Sequence, residues 1–338
     1  MQFVIKMRNI CSLILAALLC AVAVAGCSSA NGNKGNDNAT AGAADTAQAG
    51  PAIVFSGDSA LALVKAQCDF GPRVPGTEAH RRCGDFLAAC LEACGANVIN
   101  QRATLTAFDG TRLPARNIIG EFAAADSSRR ILLLAHWDCR PWADSDPDPS
   151  RRKEPVMGAN DAASGVAVLL ELARVFKGHT PPVGIDILLV DCEDWGSHND
   201  EHSWALGTQH WAKNPHRKGY RPQFGILLDM VGAPGAQFAK EYFSVAYAPS
   251  VVRDVWTAAL KSGYGSYFTA REGGGVTDDH VFVCAAGIPC IDIIDCRPDS
   301  DNGFFPGWHT TADTPDYIDP ATLKAVGQTL VNLIYNQY

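Results

Sequence analysis

The sequence predicts one α/β domain, built on a mostly parallel, mixed central sheet with helices on both faces. Three observations lead to this fold class. Four short apolar runs have the length of buried strands, at 131–134, 185–190, 224–228 and 288–294. Segments with helical periodicity separate and follow them, and strands alternating with helices are typical of parallel sheets. The chain has 338 residues, 47% of them hydrophobic, which is enough for one large core.

The predicted helices differ in how strongly the sequence marks them. Residues 162–177 carry apolar side chains at helical spacing: Val166, Leu169, Leu170, Ala173 and Phe176. Two more amphipathic helices are predicted at 251–262 and 320–335. Near the start of the domain, Ser56 or Asp58 is expected to cap a helix over 59–67. Cys83, Cys90 and Cys94 lie at helical spacing on one face of a further helix.

The N-terminus is predicted to direct export rather than to fold. Lys6 and Arg8 precede an apolar stretch over 10–25, which is short for a membrane span. The small residues before Cys27 resemble a bacterial lipoprotein signal over 1–26, with an ordinary cleaved signal as the alternative. Residues 27–50 are expected to form a disordered tether, and 51–338 a single catalytic domain. The protein is therefore expected to be membrane-anchored through lipidated Cys27 only, facing the periplasm or the cell exterior.

Charge and cysteine spacing exclude two other classes of protein. Lys and Arg number 28 against 36 Asp and Glu, for a net charge of −8, and no basic stripe is present. Nucleic-acid partners are therefore not expected. Twelve cysteines occur without any CxxC pair, which argues against a structural zinc knot and favours mostly buried thiols.

Acidic and imidazole side chains follow the predicted strands. Sites in parallel sheets gather beyond the carboxyl ends of the strands. The candidates are His136 and Asp138 after the first strand, Glu193 and Asp194 after the second, Asp229 after the third, Asp161 before a helix, and Asp278 and His309 near the C-terminus. Each has an ordinary explanation, since Asp161 could cap its helix and Asp229 a turn. Carboxylates crowded at one edge would destabilise the fold unless a cation or a shared proton relieves them.

Two carboxylates and an imidazole form a plausible zinc set, and an open fourth position would make it catalytic. Neighbouring residues on an extended chain point in opposite directions. One member of the Glu193–Asp194 pair can therefore bind the metal while the other faces the reacting atoms. A carboxylate beside zinc that is not a ligand is a good general base or proton shuttle.

Several motifs together resemble the zinc exopeptidase fold, which is shared by two-zinc aminopeptidases and glutaminyl-peptide cyclotransferases (glutaminyl cyclases). The set comprises GANDAASGVAVLLELARVF, HWD before it and an acid pair after it. The residue types that either branch requires are present. LLDMVGAP, the DDH that starts at Asp278, and Trp308 before His309 favour the cyclase, and HWDCRPWAD is similar to bacterial cyclases in particular.

The resemblance to glutaminyl cyclases implies a role for each matching residue. It implies one zinc ion on Asp161, Asp194 and His309, with Glu193 as acid/base. It further implies that Asp229 and Asp278 hold a proton network, that Trp308 and Phe305 form an aromatic substrate pocket, and that His136 and Asp138 support the ligands or bind a second metal. Trp195 and Trp204 are both candidates for a second pocket tryptophan.

One position departs from the pattern of the animal cyclases. They have glutamate as the second ligand, whereas this chain has the shorter Asp194. The loop that carries Asp194 must therefore lie closer to the metal.

The implied reaction is cyclisation of an N-terminal glutamine of peptides or proteins to pyroglutamate with release of ammonia. The main alternative is a two-zinc aminopeptidase that uses the same residues. A serine esterase does not fit, because no GxSxG is present and no histidine after residue 50 has aspartate three residues before it. A binding lipoprotein without activity would be expected to lack the base or a ligand, and neither is missing.

Overall fold

The structure is a computed structural model that describes residues 52–337 apart from 125, 298 and 301. The predicted signal at 1–26 and tether at 27–50 lie outside these residues. Among the helices that are described, none combines the length and the apolar character needed to cross a membrane.

The described residues form eight strands and eight α-helices. The strands are β1 (Asn97–Thr106), β2 (Arg112–Phe122), β3 (Asp126–His136), β4 (Val183–Val190), β5 (Gly225–Asp229), β6 (Phe238–Lys240), β7 (Phe268–Glu272) and β8 (Cys290–Ile294). The helices are α1 (Gly57–Cys68), α2 (Glu78–Ala93), α3 (Ala163–Gly178), α4 (Leu206–Lys213), α5 (Tyr242–Tyr247), α6 (Pro249–Lys261), α7 (Asp279–Ala285) and α8 (Pro320–Gln337).

Six of these strands form the central sheet, in the order β1-β2-β4-β3-β5-β8. The pairs β4–β3, β3–β5 and β5–β8 are parallel, whereas β1 and β2 join antiparallel at one edge. The four predicted strands correspond to β3, β4, β5 and β8, and the predicted mixed α/β fold is confirmed. Strands β6 and β7 form a separate parallel pair.

The edge hairpin of β1 and β2 is absent from the predicted strands. Both strands carry many polar side chains, so neither contains a long apolar run. The turn between them contains Asp109-Gly110, a residue pair that is typical of hairpin turns. Gly110 adopts a φ of +84°, a conformation that glycine reaches without strain.

Consecutive residues of β3 face opposite sides of the sheet, and each side has its own apolar core. Ile131 and Leu133 belong to the larger core, whose helices include α1, α3 and α8. Leu132 and Leu134 belong to the second core, on the side where α4 packs against α7. Helices therefore cover both faces, and the carboxyl ends of the parallel strands are left to carry polar side chains.

Helix α8 offers a direct test of this packing. Leu330 is fully buried in the larger core. We expect Leu330→Ala to lower the free energy of unfolding by about 2–5 kcal/mol, through lost burial and the cavity it leaves. The matched control is Leu260→Ala on α6, because Leu260 is 70% exposed; its effect should stay within about 0.5 kcal/mol. Equal losses for the two variants in chemical denaturation would contradict this assignment of the core.

Candidate metal centre and active site

Three strand ends bring the candidate residues to one edge of the sheet. His136 is the last residue of β3 and Asp229 the last of β5. Glu193 and Asp194 follow the end of β4 at Val190. Because β4, β3 and β5 are parallel neighbours, their carboxyl ends meet at one place.

Two sets of ligand atoms share Asp161. In the first set, His309 Nε2 lies 3.2 Å from Asp194 Oδ1 and 3.6 Å from Asp161 Oδ2. In the second, His136 Nε2 lies 3.0 Å from Asp161 Oδ1 and 3.3 Å from Asp229 Oδ1. The ligand atoms within each set lie within 4.8 Å of one another, and all five residues are buried. Asp161 thus turns one carboxylate oxygen toward each set.

The side chains of the first set fit a zinc ion. Asp194 Oδ2 is buried and has no hydrogen-bond partner, although a buried carboxylate oxygen without one is costly. Asp229 Oδ1, which belongs to the second set, is also buried without a hydrogen-bond partner. Carboxylate oxygen and imidazole nitrogen are ligands that zinc prefers, and three of them leave a position open for substrate. Zinc in the first set would relieve both the missing partner of Asp194 and the crowding of negative charge.

A buried network fixes the loop that carries Asp161. The carboxylate of Asp313 accepts hydrogen bonds from the N–H groups of Asn160 (2.7 Å) and Asp161 (3.1 Å). Arg73, which is fully buried, donates to the carbonyls of Met157 (2.6 Å) and Gly158. The explanation of Asp161 as a helix cap does not hold, because the residue that caps α3 is Ala162, without a side-chain hydrogen bond.

Asp138 holds the acid pair in place. Its carboxylate accepts a hydrogen bond from the N–H of Glu193 at 3.1 Å and from that of Asp194 at 3.3 Å. The same carboxylate lies 3.6 Å from Nδ1 of His136. Asp138 belongs to neither ligand set. Its position is therefore that of a support for the residues around the metal.

Burial controls the protonation of the acids at this edge. Loss of solvation raises the pKa of Glu193 well above its usual range, and the negative charges of Asp278 and Asp194 add to this while His136 opposes it. Burial likewise raises the pKa of Asp229 to about 7. The pKa of Asp161 is lowered despite its burial, because His136 hydrogen-bonds to it. A cation bound beside Glu193 would favour its ionised form, so this carboxyl group is suited to both accepting and releasing a proton.

Asp278 approaches the site from the start of α7, where it is the N-cap residue and accepts a hydrogen bond from the N–H of Asp279. Burial raises its pKa. Close by, His280 Nε2 lies 3.2 Å from Glu241 Oε2, and Glu241 also accepts from the N–H of Val276 at 3.0 Å. Glu241 and His280 thus support the segment that carries Asp278; His280 belongs to the DDH motif, whereas the sequence analysis did not single out Glu241.

A cavity of about 300 Å³ opens directly onto these groups. Glu193 and Asp278 line it, together with the aromatic side chains Trp204, Phe304 and Trp308. The ring of Trp308 stacks on that of His309, with ring centroids 3.7 Å apart. The cavity is therefore lined by an aromatic wall, which contacts His309 of the first set, and by buried carboxyl groups.

The residues that line the cavity differ from the sequence analysis at one position and distinguish between the two candidate tryptophans. Phe305 does not line the cavity; it is fully buried, with its ring against Tyr317, and its neighbour Phe304 takes the place expected for it. Of the two candidate tryptophans, Trp204 lines the cavity. Trp195 instead packs in a small apolar cluster and donates a hydrogen bond to Asp109.

The fold and the site together define a zinc-dependent enzyme of the exopeptidase type. The family model of peptidase family M28 matches residues 117–334. The glutaminyl cyclase of Bacteroides thetaiotaomicron, solved with N-acetylhistamine bound, is 51% identical, with a TM-score of 0.82 over 84% of this chain and 99% of that one. The chain therefore belongs to peptidase family M28, and within it to the bacterial glutaminyl cyclases.

Two further relatives show the breadth of the family. A Zn-dependent exopeptidase from Parabacteroides distasonis is also 51% identical, with a TM-score of 0.82 over 84% of this chain and 99% of that one. Aminopeptidase YwaD of Bacillus subtilis is 27% identical over 242 residues, which are 70% of this chain. The match spans 47% of that aminopeptidase, so this chain corresponds to about half of its length.

Proposed function

We propose that this protein is a glutaminyl-peptide cyclotransferase, which converts the N-terminal glutamine of peptides or proteins to pyroglutamate and releases ammonia. The α-amine of the substrate attacks its own side-chain amide carbon. A new carbon–nitrogen bond closes a five-membered lactam, and the bond to the amide nitrogen breaks. One zinc ion bound by Asp161, Asp194 and His309 would act as a Lewis acid toward the amide carbonyl.

Glu193 moves the proton that this exchange requires. Its carboxylate accepts a proton from the attacking amine and returns one to the amide nitrogen, which leaves as ammonia. Asp138 fixes the backbone of Glu193 through the 3.1 Å hydrogen bond, so the carboxyl group is held at the cavity. Asp229 and Asp278, also in the cavity wall, hold the proton network around it.

The observation that carries the proposal is the shared cavity of Glu193 and the aromatic wall. The attacking nucleophile belongs to the substrate, so no external water is needed. A cavity walled by Trp204, Phe304 and Trp308 suits such a reaction, because it can hold the compact glutamine side chain and exclude bulk water. Glu193 itself is largely shielded from bulk water, since it is only 8% exposed.

The decisive experiment follows ammonia and the cyclised product by mass spectrometry, with purified protein and a dipeptide that begins with glutamine. A parallel reaction with chelator tests the metal, and a dipeptide that begins with leucine tests for release of free amino acids. We expect ammonia and a pyroglutamyl product from the first dipeptide, loss of both with chelator, and no free leucine. Free leucine without ammonia would overturn the proposal.

A second candidate function, a two-zinc aminopeptidase, is favoured by one observation. His136, Asp161 and Asp229 form a complete second ligand set beside the first. In that enzyme Glu193 would serve as base for water instead of the substrate amine. We expect metal analysis of the purified protein to find one zinc per chain, because the cyclase reaction uses Asp229 for protons. Two zinc ions per chain, with aminopeptidase activity, would favour the second function.

The aromatic wall gives a prediction about substrate affinity. Phe304 lines the cavity, and its ring centroid lies 4.8 Å from that of Trp308. We expect Phe304→Ala to raise KM about tenfold, since an aromatic contact and its buried area are together worth about 1.4 kcal/mol. Turnover should change little, because neither the base nor a ligand is touched. Phe108→Ala, outside the cavity, is the control; a similar rise in its KM would contradict the prediction.

We propose further that the protein is an exported lipoprotein that reaches its substrates outside the cytoplasm while attached to a membrane through Cys27. The support is the Gly26-Cys27 pair after an apolar stretch and two basic residues. We expect Cys27→Ser to move the protein from the membrane fraction to the soluble fraction or to block its processing. Unchanged membrane attachment of that variant would refute the lipid anchor.

A further inference from the structure

Arg140 is a buried cation that none of the proposed catalytic steps uses. It is 1% exposed, and it lies in the loop between His136 and Asp161. Its guanidinium carbon lies 5.1 Å from the ring centre of Trp142 and 5.0 Å from that of Trp204. A guanidinium buried between two indole rings and held by hydrogen bonds has a fixed orientation, so the groups it contacts are fixed as well.

One side of Arg140 faces the metal ligand Asp194. Its Nη1 donates a hydrogen bond to the backbone carbonyl of Asp194 at 3.1 Å and lies 3.4 Å from the side-chain oxygen Oδ1. Asp138 binds the N–H of the same residue at 3.3 Å. The peptide units around Asp194 are thus held on both sides.

The other side of Arg140 holds Asp144. The guanidinium contacts both carboxylate oxygens, with Nε 2.8 Å from Oδ1 and Nη2 on Oδ2. This two-point contact fixes the plane of the carboxylate as well as its position. Asp144 is therefore presented to its other neighbours in one orientation.

That orientation places Asp144 beside the imidazole of His309. Asp144 Oδ1 lies 3.6 Å from His309 Nδ1, which is buried and has no hydrogen-bond partner. When Nε2 of a histidine binds zinc, Nδ1 carries the ring proton and donates it to an oxygen acceptor. A movement of a few tenths of an ångström brings this pair to hydrogen-bond distance. The arrangement repeats the one at His136, whose Nδ1 lies 3.6 Å from Asp138 Oδ1.

We propose that Arg140 and Asp144 are positioning residues of the metal centre, which together orient the ligands Asp194 and His309 and so set the affinity for zinc. Arg140 determines where the carboxylate of Asp194 lies, and it aims Asp144 at His309. Neither residue touches the substrate in this role. Because the role depends on the proposed metal site but not on cyclisation, zinc affinity tests it separately from turnover.

The test measures the zinc dissociation constant by competition with a chromophoric chelator. We expect Asp144→Asn to weaken zinc binding about 10–100-fold, as is typical when the carboxylate partner of a ligating histidine is lost. The control is Asp148→Asn, which lies on the same loop and is exposed, and whose side chain accepts hydrogen bonds from Ser150; the zinc affinity of this variant should equal that of the wild type. A dissociation constant for Asp144→Asn within twofold of the wild type overturns the proposal.

A double variant distinguishes weaker zinc binding from a folding defect. Asp144→Asn removes the two-point partner of Arg140 and leaves only the 3.4 Å contact with the carboxylate of Asp194 as an ion pair, and a poorly paired buried charge can unfold a protein. Arg140→Gln combined with Asp144→Asn removes both charges together, and we expect it to fold and still to bind zinc about 10–100-fold more weakly. If the double variant is folded and keeps wild-type affinity, the proposal is wrong, whatever the behaviour of the single variant.

The visible absorption of the cobalt-substituted protein separates positioning from general stabilisation. Cobalt in place of zinc reports the geometry of its ligands directly. We expect a changed band shape in the double variant and none in Asp148→Asn. Wild-type cobalt spectra in all variants, with only the melting temperature of the metal-free protein lowered, would show that the two residues merely stabilise the fold. Wild-type protein that binds zinc without cyclising glutamine would refute the proposed function alone.

Discussion

Replacing Glu193 by glutamine is expected to lower kcat about 10²–10⁴-fold, the range typical of general acid–base catalysis. The glutamine side chain is nearly the same size, so the cavity keeps its shape. It cannot accept a proton from the attacking amine. Burial raises the pKa of Glu193, so a neutral side chain at this position should not harm the fold. KM and zinc content should remain close to those of the wild type, because neither the aromatic wall nor a ligand changes.

The control for this variant is Glu201→Gln. Glu201 lines the same cavity but is exposed to solvent. The Glu201→Gln variant removes a negative charge from the cavity but leaves the residues that carry protons unchanged. We therefore expect its kcat to fall less than about fivefold. Steady-state kinetics on the Gln-dipeptide measure both variants. Retention of most activity by Glu193→Gln would refute the role of Glu193 as acid/base, and equal losses in the two variants would attribute the effect to cavity charge instead.

Replacing Asp161 by asparagine is expected to remove zinc and activity together. Asp161 is the residue that the two ligand sets share. Structural zinc sites with four protein ligands bind zinc with roughly 10–16 kcal/mol, so one ligand contributes about 3 kcal/mol, or about 10²–10³ in affinity. The variant should therefore be purified without metal, and turnover should recover only in part at high zinc concentrations. Metal analysis and the ammonia assay give the two readouts.

His136→Ala separates the two ligand sets. His136 belongs only to the second set, with Asp161 and Asp229. If one zinc ion occupies the first set, this variant keeps one zinc per chain, as the wild type does. A fall from two zinc ions to one would show that the second set is filled. Retention of zinc and full activity by Asp161→Asn would place the metal elsewhere and contradict both assignments.

The sequence was most informative about features that depend only on residues close together in the chain. The apolar runs predicted β3, β4, β5 and β8, because strands buried on both faces consist mostly of apolar residues. Ser56 was a predicted cap, and its Oγ accepts a hydrogen bond from the N–H of Ser59 at 3.1 Å. The β1–β2 hairpin was missed, because a partly exposed edge hairpin has no such run.

Residues that act on a distant partner could not be found in the same way. Asp313 binds the N–H groups of Asn160 and Asp161 from more than 150 positions away. Arg140 reaches Asp194 across 54 positions. In the sequence Asp313 is an ordinary charged residue in a loop, and Arg140 lies in the motif HWDCRPWAD without an assigned role. Phe304 and Phe305 show the same limit at short range, because adjacent aromatic residues look alike until the backbone turns one inward and the other toward the cavity.

The sequence by itself determined the fold class, the chemical types at the carboxyl edge of the sheet and the membership of a zinc-dependent family. These properties depend on the order of apolar and polar residues and on short motifs, which are local. The tertiary structure alone decided that Asp161 faces two sets of possible ligands, that Trp204 and Phe304 wall the cavity, and that Arg140 and Asp144 lie against Asp194 and His309. The physical reason is that ligand geometry requires atoms from several loops to lie within a few ångströms, and only the packed sheet fixes where those loops end.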